Sequence, residues 1–75
     1  MKELIEYIAK SIVNKPEDVV VTEEEGSEGV LLKLHVAQED MGRVIGKQGR
    51  VVQAMRTLLR VAAVKKGTRV ELEII

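Results

Sequence analysis

The sequence predicts an α+β fold of two layers, in which three helices cover one face of a three-stranded sheet. Two kinds of hydrophobic period lead to this prediction. Near the N-terminus and after residue 50, apolar residues recur every three or four positions, which is typical of one side of a helix. In residues 30–36 and 70–74 every second residue is aliphatic, which is typical of a strand with one buried side. Two layers hide all of these apolar stripes at once.

The first half of the chain predicts a helix followed by a β-hairpin. The helix spans residues 2–14 and ends before Pro16, because proline disfavours helical backbone in the residue that precedes it. The β-branched residues 19–21 predict the first strand, and the acidic, glycine-containing residues 23–29 predict a hairpin loop. The second strand begins at Val30.

The second half predicts two helices and a final strand. Asp40 is placed to cap a short helix over residues 41–45, which Gly46 breaks. The longest helix begins near Arg50 and stops at Gly67, because glycine favours a helix end. The alternating residues that follow predict a third strand. The order is therefore helix, strand, strand, helix, helix, strand.

The longest helix is predicted to have an apolar face and a cationic face. With about 100° between successive residues, the core face contains Val51, Met55, Leu58 and Ala62, flanked by Val52, Ala54, Leu59 and Val61. The opposite face contains Gln53, Arg56, Thr57, Arg60 and Val64. An aliphatic residue on a charged face is a candidate for a protein contact, so the predicted partner interface consists of Arg56, Arg60, Val61 and Val64.

Composition argues against most catalytic and metal-binding chemistry. The 75 residues include no cysteine, one histidine, one tyrosine, and neither phenylalanine nor tryptophan. There is no thiolate for a metal or a disulfide, and no nucleophile with a histidine base can be assembled. We expect no enzymatic activity, no cofactor and no metal. No apolar run approaches the ~20 residues of a membrane span, so we expect one soluble, cytoplasmic domain over residues 1–75.

Charge is segregated along the chain although the net charge is zero. Residues 1–42 carry four basic and ten acidic side chains, whereas residues 43–69 carry eight basic side chains and no acidic one. A local cationic field of this kind favours a polyanion, because phosphate binding depends on nearby charge rather than on the net charge of the molecule. The alternative is a cationic helix face that contacts only solvent.

The segment Arg43–Arg50, read as RVIGKQGR, lies between the two later helices and is the candidate binding motif. Gly46 and Gly49 allow the backbone to approach a ligand closely, and the N-terminus of the following helix attracts anions. Lys47 and the flanking arginines add charge, Gln48 lies inside the loop, and Val44 and Ile45 offer an apolar wall. This combination suits a sugar-phosphate backbone whose bases lie on an aliphatic surface.

The residues around the glycines argue against three other glycine motifs. A second Gly-x-x-Gly, at residues 26–29, lies in an acidic hairpin that repels phosphate. A nucleotide-binding P-loop requires glycine at position 41 and a hydroxyl residue at position 48, where Met41 and Gln48 stand. The dinucleotide fingerprint requires a further glycine at Val44 and a preceding strand.

The motif Ile45-Gly46-Lys47-Gln48-Gly49-Arg50, in the order α-β-β-α-α-β, resembles a type II KH domain. Over its whole length the chain resembles the small bacterial RNA-binding proteins of the KhpA type. The resemblance implies binding of about four nucleotides of single-stranded RNA through the loop. It also implies association with a second KH protein of the KhpB (Jag/EloR) type, and we expect such a pair to act as an RNA chaperone or post-transcriptional regulator. The small core and the aliphatic residues Val61 and Val64 on the longest helix predict a homodimer as the other form of association. The alternative is an assembly module that uses the KH surface mainly to bind protein.

Overall fold

The computed structural model describes all residues from Met1 to Ile75 and has the predicted α+β architecture. The helices and strands are α1 (Lys2–Ile12), β1 (Val20–Gly26), β2 (Gly29–His35), α2 (Met41–Ile45), α3 (Arg50–Lys66) and β3 (Val70–Ile74). Single 3-10 turns lie at Pro16–Asp18 and Gln38–Asp40, and a tight turn over Lys47–Gly49 joins α2 to α3. The predicted order of elements is confirmed.

The three strands form one mixed sheet in the order β1-β2-β3. Strands β1 and β2 are antiparallel and form a hairpin, whereas β2 and β3 are parallel. A parallel pair requires a crossover connection, and α2 and α3 supply it. Leu32 of β2 lies opposite Leu72 of β3, and both side chains are buried, so the helices cover this face of the sheet.

Two predicted boundaries were wrong. Helix α1 ends at Ile12 rather than at residue 14, because Val13 already has extended backbone. The acidic residues Glu23–Glu25 belong to β1 rather than to a loop, since their backbones pair with β2, Glu23 opposite Leu32. Acidic side chains are compatible with this strand because its end is exposed to solvent. The hairpin loop is consequently short.

The apolar core lies between the sheet and the helices. It contains Ile5, Ala9, Val19, Val21, Leu32, Leu34, Val36, Val44, Val52, Met55, Leu59 and Leu72. The face of helix α3 that packs on the sheet differs from the predicted one by a rotation about the helix axis. Its buried residues are Val52, Met55, Leu59 and Ala63. Leu58, expected near the centre of the core face, is 47% exposed. The apolar residues of α3 span a wider arc than the sheet covers, and periodicity does not show which part of that arc is buried.

Asp40 precedes α2, as predicted, but does not cap it by a side-chain hydrogen bond. Its carboxylate accepts hydrogen bonds from the backbone N–H groups of Asn14 and Lys15, both at 3.0 Å, and is completely buried. A buried carboxylate is stable only with such donors. Asp40 therefore joins the segment after α1 to the start of α2, and this fixes where the helix before the binding motif begins.

Candidate nucleic-acid interface

The loop Gly46–Gly49 joins α2 to α3 in a conformation that depends on glycine. Gly46 has φ 78° and ψ 171°, and its N–H donates to the carbonyl oxygen of Gly42 at 2.8 Å. A Cβ atom at position 46 would lie 2.8 Å from the backbone nitrogen of Val51 and closer still to its side chain. Any side chain at this position therefore displaces the first turn of α3. The first glycine of the motif is required by this packing as well as by its dihedral angles.

The rest of the loop is a tight turn, closed by a hydrogen bond of 3.1 Å from the Gly49 N–H to the Gly46 carbonyl oxygen, that exposes its two central side chains. Gln48 has φ 58°, in the left-handed region where residues other than glycine are uncommon. Gly49 follows with φ 74° and leads directly into α3. The side chains of Lys47 and Gln48 are both exposed. Backbone in sparsely populated conformations is often found at ligand sites, and here it turns the loop outward.

The N-terminus of α3 has no side-chain cap and no acidic residue in its first turn. The first N–H groups of a helix lack intrahelical acceptors and carry the positive end of the helix dipole. Lys47 and Arg50 lie immediately beside these groups and are exposed. The end of the helix thus has donors and positive charge without a carboxylate to neutralise them, which favours an anion.

The cations of the basic segment are largely free of ion pairs. Only Arg43 has a carboxylate within 4.0 Å, with its Nε 3.7 Å from Asp40 Oδ1. The unpaired members are Lys47, Arg50, Arg56, Arg60, Lys65, Lys66 and Arg69. Outside this segment Lys10, Lys15 and Lys33 are paired with glutamates. The hydrogen bond that Lys33 donates to Glu24 raises the pKa of Lys33, and the one that Lys15 donates to Glu39 raises the pKa of Lys15. The positive field around the loop and α3 is therefore left uncompensated.

The two aliphatic residues of the motif lie in different environments. Ile45 is 37% exposed at the end of α2, whereas Val44 has no exposed surface and belongs to the core. The expectation that Val44 forms part of an apolar wall is wrong, because its side chain packs inward. Of the predicted RNA-binding residues, the structure brings together Arg43, Ile45, the four loop residues and Arg50 at one end of the crossover.

The four predicted interface residues span about 140° of the surface of α3, and three of them, Arg56, Arg60 and Val64, line one cleft beside β3. Val61 is 52% exposed and lies near the exposed Leu58, one turn before it. Val64 is 72% exposed and lies one turn after Val61, about 120° around the helix from Leu58. Arg56 and Arg60 lie on the side that faces β3, where Arg56 Nη2 donates to the carbonyl oxygen of Leu72 at 3.3 Å. The sequence pattern did not predict that Leu58 is exposed, because this residue lies within the broad apolar arc of the helix.

No helix of the structure has the length and apolar character needed to cross a membrane.

Comparison with known proteins gives a consistent result over the full chain. A family model described as the KH domain of KhpA/KhpB matches residues 2–74. "RNA-binding protein KhpA" of Clostridium perfringens is 57% identical over 75 residues, which cover 100% of both chains. The protein of the same name from Listeria monocytogenes is 52% identical over 100% of this chain and 99% of its own. That of Borreliella burgdorferi is 47% identical over 97% of this chain and 89% of its own.

No solved structure matches the chain. The family match spans every helix and strand described above, and it includes the glycine loop and the unpaired basic segment. The chain belongs to the KhpA/KhpB family of KH domains.

Proposed function

We propose that this protein binds single-stranded RNA without catalysis and holds about four nucleotides at the loop Gly46–Gly49. The observation that carries the proposal is the exposed glycine loop at the uncapped N-terminus of α3, where Lys47 and Arg50 have no carboxylate partner. The relatives named RNA-binding proteins, with up to 57% identity over the full chain, support it independently.

In this proposal the loop binds the sugar-phosphate backbone. Gly46 and Gly49 keep the loop free of Cβ atoms where the strand passes, and the first N–H groups of α3 face the phosphates. Lys47, Arg50 and Arg43 supply positive charge that holds the strand in register without reading its sequence. The exposed part of Ile45 offers an aliphatic surface for an unstacked base.

The loop is tested with Lys47→Asp combined with Gln48→Asp. Both side chains are exposed, so the domain should keep its native circular dichroism while its affinity for a single-stranded oligonucleotide of about 12 nucleotides falls below detection. Fluorescence anisotropy of the labelled RNA measures this. The matched control is Lys10→Asp combined with Gln38→Asp, which makes the same two substitutions at exposed positions outside the loop and α3. Equal loss in both variants would show a nonspecific charge effect and contradict the assignment.

A second KH domain is the partner that the surface of α3 fits best. Leu58 is 47% exposed and Val61 52% exposed on neighbouring turns, and Ala54 is exposed one turn before Leu58. A side-by-side contact through this apolar face would join two RNA sites and raise affinity by effective concentration. We propose a homodimer, or a heterodimer with a KH protein of the KhpB type, in which Val61 lies at the contact. RNA chaperone activity or post-transcriptional regulation would be the role of such a pair.

An assembly module that binds protein alone remains the second candidate, and the exposed apolar face of α3 is the observation that favours it. The two candidates differ in one measurement. A protein that binds only protein gives no salt-dependent binding of single-stranded RNA, whereas the loop proposal requires it.

A further inference from the structure

The buried carboxylate of Asp40 connects two segments that are far apart in the chain. It accepts hydrogen bonds from the backbone N–H groups of Asn14 and Lys15, each at 3.0 Å, and Arg43 Nε lies 3.7 Å from its Oδ1. No other charged residue of the protein is buried. Because a carboxylate removed from water is costly unless donors surround it, Asp40 stays where these donors are. The start of α2 is therefore fixed to the segment that follows α1.

Helix α2 has little apolar surface of its own with which to pack on the core. It contains five residues, and isolated helices shorter than about 12 residues are only marginally stable in water. Val44 is its only buried residue, Met41 is half-buried against the core, and Gly42 is exposed and has no side chain. The position of α2 consequently depends on Asp40 at its start as well as on Val44 near its end.

The glycine loop takes its position from α2. Only this helix separates Asp40 from Gly46, whose N–H donates to the carbonyl oxygen of Gly42 at 2.8 Å. The loop contributes Lys47, whereas the N–H groups that face an anion belong to the first turn of the next helix, α3. A tilt of α2 would therefore displace Lys47 from those N–H groups.

We propose that Asp40 is a positioning residue for the glycine loop. By binding the segment after α1, it keeps α2 and the loop in the arrangement that binds a ligand. The inference rests on the proposed function of the loop and adds to it a residue that no ligand touches, because Asp40 is completely buried. Its charge and its geometry then act in opposite directions. As a negative charge near Arg43 it weakens the binding of a polyanion, whereas its hydrogen bonds strengthen it.

Asp40→Asn distinguishes the two effects by their sign. Asparagine offers one acceptor oxygen instead of two, so one of the two backbone N–H groups loses its partner. If only the charge mattered, this variant would bind labelled single-stranded RNA more tightly than the native protein. We expect about tenfold weaker binding, because the loop would be in its binding arrangement about a tenth of the time. The slope of log affinity against log salt should stay unchanged, because no phosphate contact is lost.

Two variants serve as matched controls. Glu39→Gln removes the neighbouring exposed carboxylate, which pairs with Lys15 Nζ at 2.7 Å, and should bind RNA at least as tightly as the native protein. Val21→Ala leaves a cavity under β1, the strand that packs on α1, and should lower the free energy of unfolding without changing the affinity.

Urea denaturation gives the stability of each variant, and the affinities are compared where circular dichroism shows every variant to be folded. Native or tighter RNA binding by Asp40→Asn would overturn the proposal. An equal loss of affinity in Val21→Ala would overturn it too, because the effect would then follow stability alone.

Hydrogen exchange of the native protein tests the role of Asp40 without RNA, and it applies even if Asp40→Asn does not fold. The N–H groups of Asn14 and Lys15 report the bonds to Asp40, and that of Gly46 reports the end of α2. These three amides should become exchangeable in one opening, at lower denaturant concentration than the amides between β1 and β2.

Exchange at Gly46 while Asn14 and Lys15 stay protected would contradict the proposed role, because α2 would then move without breaking the bonds of Asp40. The exchange measurement also separates this inference from the function of the loop. If the native protein binds no RNA, the proposed function fails, and the exchange pattern alone decides whether Asp40 positions the loop.

Discussion

At the scale of single residues, the site depends on two positions at which the backbone leaves no freedom. Val51 leaves no room for a side chain at position 46. The buried carboxylate of Asp40 accepts hydrogen bonds from two backbone N–H groups. The glycine is recognisable in the sequence through its motif. The role of Asp40 is not, since a carboxylate before a helix predicts a cap, and its partners after α1 are brought to it only by the tertiary fold.

Alanine substitutions at Gly42 and Gly46 are expected to change the free energy of unfolding in different ways. Gly42 lies within α2, and a Cβ atom there would meet nothing within 4 Å. Gly42→Ala should leave the free energy of unfolding unchanged or raise it by up to about 1 kcal/mol, because alanine restricts the unfolded chain. Gly46→Ala should lower it by more than about 1 kcal/mol, because it adds both a clash and a strained φ. Urea denaturation measures both, and similar values for the two variants would refute this account of the loop.

At the scale of elements, the sequence predicts which segments are helices and strands better than how they face one another. The order of the six elements is confirmed because each has a strong period and a clear breaker, as at Gly46 and Gly67. The extension of β1 through Glu25 was missed, because acidic residues beside glycine resemble a loop when their pairing with β2 is unknown. The apolar arc of α3 is broad, so its rotation depends on the sheet it packs against.

The rotation of α3 leads to a prediction about association. Leu58→Glu should shift the protein toward monomers, because a glutamate would enter the contact between the apolar faces of two domains, and an unpaired charge there is costly. Val64→Glu should have the smaller effect, since Val64 lies about 120° around the helix from Leu58, at the edge of the apolar face. Sedimentation equilibrium over a concentration series measures both.

Two outcomes of that experiment would contradict the proposed contact. A larger effect of Val64→Glu would move the interface to the polar face of α3. A native chain that is monomeric at high micromolar concentration would rule out self-association through α3 and leave a second KH protein as the partner. Both substituted side chains are at least 47% exposed, so loss of folding is not expected to obscure the result.

At the scale of the whole molecule, charge divides the surface into two regions. The outward face of the sheet carries Glu24 beside Lys33, with Glu71 and Glu73 on the neighbouring strand. The loop and α3 carry the unpaired cations. The two regions largely cancel in the net charge, so a polyanion is attracted to one side and repelled from the other. The separation of acidic from basic residues is visible in the sequence. The fold places the two groups on different sides of the molecule.

Single strands should bind better than duplexes to this surface. An intact A-form duplex keeps its bases stacked and paired, so the aliphatic surface at Ile45 has nothing to contact, and only phosphate attraction remains. Anisotropy at one salt concentration compares an unpaired oligonucleotide with a hairpin whose stem contains the same sequence. Equal affinities would show that the cationic surface binds phosphate alone, without any contribution from exposed bases.

The parallel pairing of β2 with β3 has a consequence for the order of folding. The hairpin of β1 and β2 forms from neighbours in the chain, whereas β3 pairs with β2 only after α2, the loop and α3 have crossed the sheet. Contacts between distant parts of a chain close slowly. A nascent chain that has emerged as far as α3 therefore contains every residue of the glycine loop but not the strand that closes the core. The folded domain that holds the glycine loop in place therefore forms only after β3 has been synthesised.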